Sequence, residues 1–170
     1  MTLTLILIRH AKSDWDDPRL TDHQRPLNDR GRRAALRIGA WLAAAGRHPQ
    51  EALVSDAMRT RETWSYIAPH LPDAPAPRLL PGLYLAGPTA MLTHLHAARA
   101  ATVAMVAHNP GTGVLAARLA ATPAAHPSFG RYPTGAVTVL EFDAETWAAV
   151  QPGMGRVRDF VIPRDLPDPA

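Results

Sequence analysis

The stretch LTLILIRHAKSDW, residues 3–15, begins as an apolar run and ends in polar and charged side chains. Its first six residues, 3–8, are apolar or β-branched, which predicts a buried strand. Arg9 and His10 follow directly, and the alternation of a strand would send them to opposite faces of a sheet. They act together if the strand ends there, and in an open α/β sheet ligands bind at the carboxyl ends of the strands. The stretch alone is equally compatible with a strand that runs out into solvent.

Apolar runs and segments of helical periodicity alternate along the rest of the chain. Further strands are predicted at 52–55, at 79–80 and at 102–107, and helices are predicted at 28–46, at 57–71, from Pro88 onward and at 112–121. Two β-rich segments, AVTVLEF (136–142) and GRVRDFVIP (155–163), close the chain. This order predicts an α/β fold, a three-layer α/β/α sandwich with a mostly parallel sheet. Trp41, Trp64 and Trp147 are expected in its core.

Length and composition exclude several classes. A chain of 170 residues suits a single domain, residues 1–170. The absence of cysteine excludes disulfides, thiolate catalysis and thiolate metal sites. The net charge is +3, and no basic run with interleaved aromatic residues predicts nucleic-acid binding. No segment has the roughly 20 apolar residues that cross a bilayer, and the first apolar run is too short for a signal peptide. We therefore expect a cytoplasmic protein without membrane contact.

Three predicted strands end in side chains that suit an anion. The first ends in Arg9 and His10, the second in Ser55 and Asp56 with Arg59 and Arg61 in the helix that follows, and another in His108 and Asn109. If these strands are parallel neighbours, their ends meet at one edge of the sheet, together with the N–H groups of the helix starts. The arginine fork fits pairs of phosphate oxygens. Neutral histidine is a good nucleophile toward phosphorus, and protonated histidine is a good phosphate clamp.

Three motifs carry a resemblance to a known family. LILIRHAKS resembles the Arg-His-Gly signature of the histidine phosphatase, or phosphoglycerate mutase-like, superfamily. VSDAMRTRET resembles its second motif, Ser-x-x-x-Arg-x-x-x-Thr, and MVAHNPG resembles the third, which brings a second histidine. With RPLNDRG and the Ala-Lys-Ser continuation, the chain is most similar to the short phosphohistidine phosphatase (SixA-type) branch. The resemblance extends from Leu3 to about Leu140 and implies the phosphoglycerate mutase-like fold.

The resemblance also implies roles for four residues. His10 would be the nucleophile and would become transiently phosphorylated. Arg9 and Arg59 would hold the phosphoryl oxygens, and His108 would share that task as an imidazolium. Such a cluster of fixed cations is sufficient for phosphoryl transfer, so no metal and no other cofactor is implied. Water would then release phosphate from His10.

The chain departs from the family pattern at two places. Ala11 stands where the family has glycine, which is expected to shift the turn after the first strand slightly. The glutamate acid that many branches carry between the second and third motifs has no counterpart in PGLYLAGP, residues 81–88. An alkoxide leaving group needs a proton, whereas the P–N bond of phosphohistidine breaks more readily. The missing acid therefore favours a phosphohistidine substrate over a sugar phosphate.

Other polar residues near the first motif are further candidates. Ser13 and Arg25 are candidate phosphate ligands; otherwise Ser13 stabilises its loop and Arg25 forms a structural ion pair. Asp14 or Asp17 is a candidate substitute for the missing acid, unless both belong to a solvated acidic loop. Trp15 is expected to line the substrate entrance. No role is predicted for His23.

Three hypotheses for the function follow. The preferred one is a metal-independent phosphatase that acts through a phosphohistidine intermediate on His10 and takes a phosphohistidine-containing protein as its partner. The second is a phosphomonoesterase whose substrate is a small phosphorylated metabolite. The third is a module that binds phosphate or a phosphoprotein without turnover.

Overall fold

The computed structural model describes residues 1–169 and contains one sheet of six strands. The strands are β1 (Thr2–Arg9), β2 (Glu51–Ser55), β3 (Pro77–Leu80), β4 (Thr102–Ala107), β5 (Val137–Asp143) and β6 (Arg156–Val161). Their order in the sheet is β3-β2-β4-β1-β5-β6. The first four in that order are parallel, and β5 and β6 join on one side as antiparallel strands. The prediction of a mostly parallel sheet is confirmed.

Four helices cover the two faces of this sheet. They are α1 (Asp29–Ala44), α2 (Met58–Ile67), α3 (Pro88–His96) and α4 (Gly111–Leu119). The side chains of β1 alternate between two buried clusters, with Leu5 and Leu7 in one and Ile6 and Ile8 in the other. The first cluster contains side chains of α3 and α4, and the second contains side chains of α1 and α2. Each face of the sheet is therefore buried under a pair of helices, which confirms the three-layer α/β/α architecture.

Both ends of α1 follow from the sequence. The Asn28 side chain accepts a hydrogen bond from the N–H of Gly31 at 2.8 Å, the usual N-cap contact. A Cβ atom at Gly31 would lie 2.0 Å from the carbonyl oxygen of Lys12, so only glycine lets the helix approach the loop after β1 this closely. Gly46 has a φ of +69° and donates its N–H to Ala43, which ends the helix.

The second helix is shorter than the predicted segment 57–71. It ends at Ile67 and continues as a 3-10 turn, Ala68–His70. Pro69 is the physical reason, because it has no N–H to donate to the preceding turn and its ring clashes with that turn.

Two further predictions need small corrections. The last helix ends at Leu119 rather than near residue 121, because Ala120 pairs with Gly155 in a β-bridge. Trp64 and Trp147 are buried as predicted, but Trp41 is half-buried at the margin of its cluster.

The strand register brings the polar strand ends together. Arg9 is paired with Ala107, so the residues that follow them, His10 and His108, leave neighbouring strands at the same level. The N–H of His10 donates to the carbonyl of Ala107 at 3.1 Å, which continues the ladder by one residue. On the other side of β4, Ser55 ends β2 at the same edge. Within residues 1–169, no helix has the length and apolar character needed to cross a membrane.

Candidate active site

Two histidine rings face each other at the carboxyl edge of the parallel strands. The ring centroids of His10 and His108 lie 5.4 Å apart with an angle of 55° between the ring planes. Both side chains are buried, and so is the side chain of Arg59 in the first turn of α2. The structure thus brings together the residues that the sequence placed on three separate strand ends.

One ring nitrogen of His10 is fixed by the backbone. Its Nδ1 lies 2.7 Å from the carbonyl oxygen of Ala11. A carbonyl only accepts, so Nδ1 carries the proton and donates it. The lone pair of the neutral ring is then on Nε2, which has no hydrogen-bond partner among residues 1–169. This is the tautomer that a nucleophilic histidine needs.

Burial and nearby arginines keep His10 neutral. Burial is the largest cause, and it lowers the pKa of His10 from 6.5 to about 4. The hydrogen bond to Ala11 opposes this shift, while the positive charges of Arg59, Arg9 and Arg25 add to it. At neutral pH the imidazole is therefore neutral, and its Nε2 lone pair is available for attack.

The loop after β1 holds Ala11 in place through α2. The N–H of Ala11 donates to Oγ1 of Thr63 at 3.0 Å, and that hydroxyl donates to the carbonyl of Arg59 at 2.7 Å. Ala11 is buried and is not among the residues with positive φ. An alanine therefore occupies the position of the family's glycine without backbone strain.

The second histidine is held by a hydroxyl group. Nε2 of His108 lies 2.7 Å from Oγ of Ser55, and this oxygen accepts the N–H of Ala57 at 3.4 Å. The hydroxyl keeps one proton and one further lone pair, so it is able to donate to Nε2 or to accept from it, and donation puts the ring proton of His108 on Nδ1. Nδ1 is buried and has no partner within residues 1–169, and in the tautomer in which Ser55 donates it is an N–H donor available to an anion.

The charge state of His108 differs from the imidazolium that the family resemblance implies. The pKa of His108 is lowered from 6.5 to about 3, with burial as the largest cause and the neighbouring His10 and Arg59 as further causes. His108 is therefore neutral at pH 7, and it offers an N–H donor rather than a full charge. The negative charge of a phosphoryl group beside it would oppose this shift.

Arg59 is paired with a carboxylate from the loop between β1 and α1. Its two terminal nitrogens donate to Asp22, one to the backbone carbonyl at 2.8 Å and one to the side chain at 3.1 Å. The Asp22 carboxylate also accepts hydrogen bonds from Arg25 at 2.9 Å and from the Tyr84 hydroxyl. Burial opposes its ionisation, but these three hydrogen bonds outweigh burial and hold the pKa of Asp22 well below its usual range. The ionised carboxylate of Asp22 thus links Arg25 to Arg59.

Arg25 and Ser13 belong to the same hydrogen-bond network. Arg25 donates to Oγ of Ser13 at 2.8 Å and to the carbonyl of Asp14 at 3.2 Å, and its guanidinium lies 3.3 Å from the ring centre of Trp15. Of the two alternatives for Arg25, the structure shows the ion pair with Asp22, while phosphate binding by Arg25 stays a prediction; its charge also lowers the pKa of His10. Trp15 is 71% exposed and shields Arg25 from solvent.

Arg9 is oriented by the loop before β5. It donates to the carbonyl of Tyr132 at 3.0 Å, and the side chain of Asn109 donates to the same carbonyl at 3.0 Å. Burial lowers the pKa of Arg9, and so does the charge of Arg59. The Nε atoms of both arginines are buried and have no partner within the described part of the chain. These N–H groups are donors that a bound oxyanion can use.

A second polar pair lies beside Tyr84. Nε2 of His23 is 2.9 Å from Oδ1 of Asp56, and the His23 ring packs edge-on against Tyr84 at a centroid distance of 4.8 Å. Tyr84 in turn packs edge-on against His108 at 5.4 Å. The charge of His23 lowers the pKa of His108, so the pair of His23 and Asp56 lies near the carboxyl edge of the parallel strands, which we call the reactive edge.

The two aspartates predicted as substitute acids have other contacts. Asp17 accepts hydrogen bonds from Arg19, which lower the pKa of its carboxyl group, and it therefore remains ionised. The Asp14 side chain accepts the N–H of Asp16. Among residues 1–169, neither carboxylate is hydrogen-bonded to Arg59 or to either histidine of the edge.

Three residues of the site were missed by sequence reasoning: Asp22, His23 and Tyr84. They lie in segments without periodicity, and the contacts that unite them with Arg59 and Asp56 join distant parts of the chain. One local signal exists for Asp22, because it precedes Arg25 by three residues in a helical turn, a spacing typical of an ion pair.

Comparison with known proteins gives sequence relatives over most of the chain. The sequence model of the histidine phosphatase superfamily (branch 1) matches residues 5–83. An uncharacterised protein of Mycobacterium tuberculosis is 34% identical over 164 residues, covering 92% of this chain and 100% of that protein. An uncharacterised protein of Mycobacterium leprae is 30% identical over 168 residues, with the same two coverages of 92% and 100%.

Solved structures show the same fold at lower identity. A putative phosphohistidine phosphatase SixA from Nakamurella multipartitia superposes with a TM-score of 0.81 at 24% identity, over 95% of this chain and 96% of the other. The protein histidine phosphatase SixA complexed with tungstate has a TM-score of 0.78 at 21% identity, over 96% and 99%. A mycobacterial glucosyl-3-phosphoglycerate phosphatase has a TM-score of 0.63 at 15% identity, over 93% and 98%.

Proposed function

The chain belongs to the histidine phosphatase superfamily and is a phosphatase, and we propose that it removes phosphate from a phosphohistidine on a partner protein. The observation that carries this proposal is the environment of His10. Its Nδ1–H is donated to a backbone carbonyl and its Nε2 is free, inside a group of arginine side chains. The proposed mechanism has two steps, with His10 as the nucleophile of the first.

In the first step, Nε2 of His10 attacks phosphorus in line with the P–N bond of the substrate. As the new P–N bond forms, the His10 ring becomes positively charged, and the carbonyl of Ala11 stabilises that charge by accepting Nδ1–H. The electron pair of the broken bond returns to the substrate's ring nitrogen. That ring leaves as a neutral imidazole, provided that its other nitrogen has already taken a proton from water.

Three donors stabilise the phosphoryl group as it transfers. Arg9 and Arg59 supply charge and buried N–H groups, and His108 supplies its Nδ1–H. Donors that are held in place before the reaction do not have to reorganise during it, and this is the main source of catalysis in phosphoryl transfer. In the second step, water attacks the phosphorus of phosphorylated His10. Phosphate is released, and His10 returns to its starting tautomer.

The ionised carboxylate of Asp22 favours a substrate with a nitrogen leaving group. Asp22 remains ionised because of its hydrogen bonds to Arg25, Arg59 and Tyr84, so it has no proton to give to an alkoxide. The imidazole of phosphohistidine takes its proton from solvent and needs no such acid. This is the physical argument for preferring phosphohistidine among phosphorylated substrates.

One observation supports a second candidate, hydrolysis of a small phosphate ester. The pair of His23 and Asp56 lies against Tyr84 at the reactive edge, and a histidine held by a carboxylate is a proton donor of the kind that an alkoxide needs. A solved relative of the same fold is described as a glucosyl-3-phosphoglycerate phosphatase. If the chain hydrolyses esters, we propose that His23 is the acid.

A substrate comparison tests the proposed function. The purified protein is given a chemically phosphorylated histidine peptide and, separately, a panel of sugar phosphates and nucleotides, and kcat/KM is measured for each. We expect a value at least about 100-fold higher for the phosphohistidine peptide, because the esters lack an acid worth about two orders of magnitude. Higher efficiency on any ester of the panel would contradict the proposal.

The variant His23→Asn separates the two candidates in one protein. Phosphohistidine turnover is expected to change less than about twofold, whereas any ester turnover falls by about 100-fold if His23 is the acid. Asp56→Asn is the matched variant, because it weakens the hydrogen bond that positions the same His23 ring. Loss of phosphohistidine turnover in both variants would show that this substrate also needs the acid, and would remove the argument for preferring it.

A further inference from the structure

The positive side chains of the molecule fall into two equal groups. Of the 18 lysine and arginine residues, half form ion pairs with carboxylates within residues 1–169. Five of the nine others line a single cavity of about 410 Å³: Arg9, Lys12, Arg30, Arg131 and Arg164. No aspartate or glutamate lines this cavity. Charges that are left uncompensated and lie together create a local positive field that attracts an anion.

This cavity, the cationic groove, begins at the candidate active site. Arg9 belongs to both, because it lines the groove while its charge acts on His10 and its own pKa is lowered by Arg59. The other four cations of the groove are exposed. The groove therefore shares Arg9 with the candidate active site, although His10, Arg59 and His108 do not line it.

The positive surface continues along α1. A neighbouring cavity of about 280 Å³ shares Arg30 and Arg164 with the groove and adds Arg33 and Arg37. Residues 30 and 37 are seven positions apart on the helix, which is a distance of about 10 Å. Arg33 has no carboxylate partner within residues 1–169, whereas Arg37 pairs with Asp168. The surface is thus long in one direction and extends away from the reactive edge.

We propose that the cationic groove binds an acidic segment of the polypeptide that carries the phosphohistidine. This inference rests on the proposed function and names the surroundings of its substrate. The length along α1 exceeds what the single anionic group of a metabolite would occupy. Between the charges lie the apolar side chains of Ala34, Pro133, Ile162 and Pro163, which suit the carbon chains of a peptide. No aromatic side chain lines the groove, so it lacks the stacking surfaces typical of sites for single-stranded nucleic acid.

Direct binding tests the groove without requiring turnover. A fluorescein-labelled polyglutamate peptide of about 12 residues is titrated with the protein, and the dissociation constant is followed by fluorescence anisotropy. The triple variant Arg30→Glu, Arg131→Glu and Arg164→Glu is expected to weaken binding about tenfold or more, since each reversal replaces an attraction between exposed charges with a repulsion. The weakening should diminish in high salt because exposed charges are screened.

A matched control separates the groove from the overall charge. The variant Arg61→Glu, Arg99→Glu and Arg118→Glu reverses three exposed arginines that also lack carboxylate partners within residues 1–169 and lie outside the groove. It changes the net charge by the same amount and is expected to alter the dissociation constant less than about twofold. Equal weakening in both triple variants would overturn the proposal. So would a single-stranded oligonucleotide of similar length that binds more tightly than polyglutamate with the same dependence on the groove arginines.

Activity then connects the groove to the substrate. Two phosphohistidine peptides of equal length are compared, one with flanking glutamates and one with flanking glutamines. The wild type is expected to have a kcat/KM about tenfold higher for the acidic peptide, and the groove variant is expected to lose that preference while hydrolysing free phosphohistidine normally. Equal kcat/KM of the wild type on both peptides would overturn the proposal that the groove binds an acidic segment of the substrate. Inability of the wild type to hydrolyse either phosphohistidine peptide would instead refute the proposed function, so the two failures are distinguishable.

Discussion

A histidine follows both β1 and β4 at the same level of the sheet, but the hydrogen-bond partner of its ring differs between the two strand ends. At the end of β1, His10 donates Nδ1–H to a backbone carbonyl, a partner that can only accept. At the end of β4, Nε2 of His108 meets the hydroxyl of Ser55, a partner that can donate. The first ring presents a lone pair to the site, and the second presents an N–H when Ser55 donates to its Nε2.

This difference shows that the partner of a histidine, rather than its position, determines its chemistry. Both rings are buried and both have lowered pKa values, so neither is a cation at neutral pH. We therefore propose that the two adjacent strand ends supply a nucleophile and an anion donor from identical side chains. The predictions below test this division, beginning with the largest effect.

Replacing His10 should abolish turnover. The variant His10→Asn keeps a polar side chain near the Nδ1 position but has no lone pair at the position of Nε2. We expect kcat to fall by about four orders of magnitude or more, as is typical for removal of a nucleophile. The measurement is hydrolysis of a phosphohistidine peptide together with detection of acid-labile phosphate on the protein.

The labelling experiment has an internal control in the other histidine. The variant His108→Asn should still form acid-labile phosphate, at a reduced rate, because its nucleophile is intact. If His10→Asn is labelled while His108→Asn is not, then His108 is the nucleophile and His10 is the donor.

Two substitutions of His108 distinguish its nitrogens. Asparagine places an amide near Nδ1, and glutamine places one near Nε2. If Nδ1–H is the donor to the phosphoryl group, then His108→Asn should retain about tenfold more activity than His108→Gln, and the latter should lose about 100-fold or more. Steady-state kcat of both variants is the measurement. Greater activity in the glutamine variant would indicate that contact with Ser55, and not donation from Nδ1, is what matters.

The strand ends were predictable because they follow from local patterns. Each signal lies within a few positions of the element that it determines: the apolar run before His10 forms β1, and Asn28 and Gly46 mark the two ends of α1. The parallel direction of β2, β4 and β1 follows from their helical connections, whereas the position of β4 between β2 and β1 was left open by the sequence. The meeting of His10 with His108 is a consequence of that order.

The remainder of the site depends on contacts that no local pattern encodes. Asp22 binds Arg59 across 37 positions, and the hydroxyl of Tyr84 reaches Asp22 across 62. The neutral state of His108 depends on its burial, which a strand-end motif does not specify. The cationic groove combines residues from β1, α1 and three loops, so the sequence contains no basic run from which it could be predicted.

Unfolding free energy should depend on pH because both histidines are kept neutral in the folded protein. In the unfolded chain they titrate near 6.5, whereas in the folded chain the pKa values are about 4 for His10 and about 3 for His108. Between about pH 4 and 6.5 the unfolded state binds more protons, so stability rises with pH and falls as the solution is acidified. Each histidine contributes a slope of up to about 1.4 kcal/mol per pH unit in this window.

Urea unfolding at several pH values between 4 and 7 measures this slope. The variants His10→Asn and His108→Asn should each reduce it by about 1.4 kcal/mol per pH unit, whatever their own stability at pH 7. A slope that is unchanged in either variant would mean that the corresponding ring is not kept neutral by folding.

The smallest effect is expected from Ser55→Ala, and it is the sharpest test of the comparison. Loss of the hydroxyl removes the donor to Nε2 of His108 and leaves the ring free to adopt its other tautomer, so we expect kcat to fall about tenfold. Thr112→Val is the matched control, because the Thr112 hydroxyl donates to the backbone carbonyl of the same histidine at 2.9 Å and does not touch the ring. Nitrogen NMR of ¹⁵N-labelled histidine should detect a mixture of His108 tautomers in the first variant and a single Nδ1–H form in the second. If the Nδ1–H form persists in Ser55→Ala, the partner at the end of β4 does not set the tautomer, and the contrast between the two strand ends has another cause.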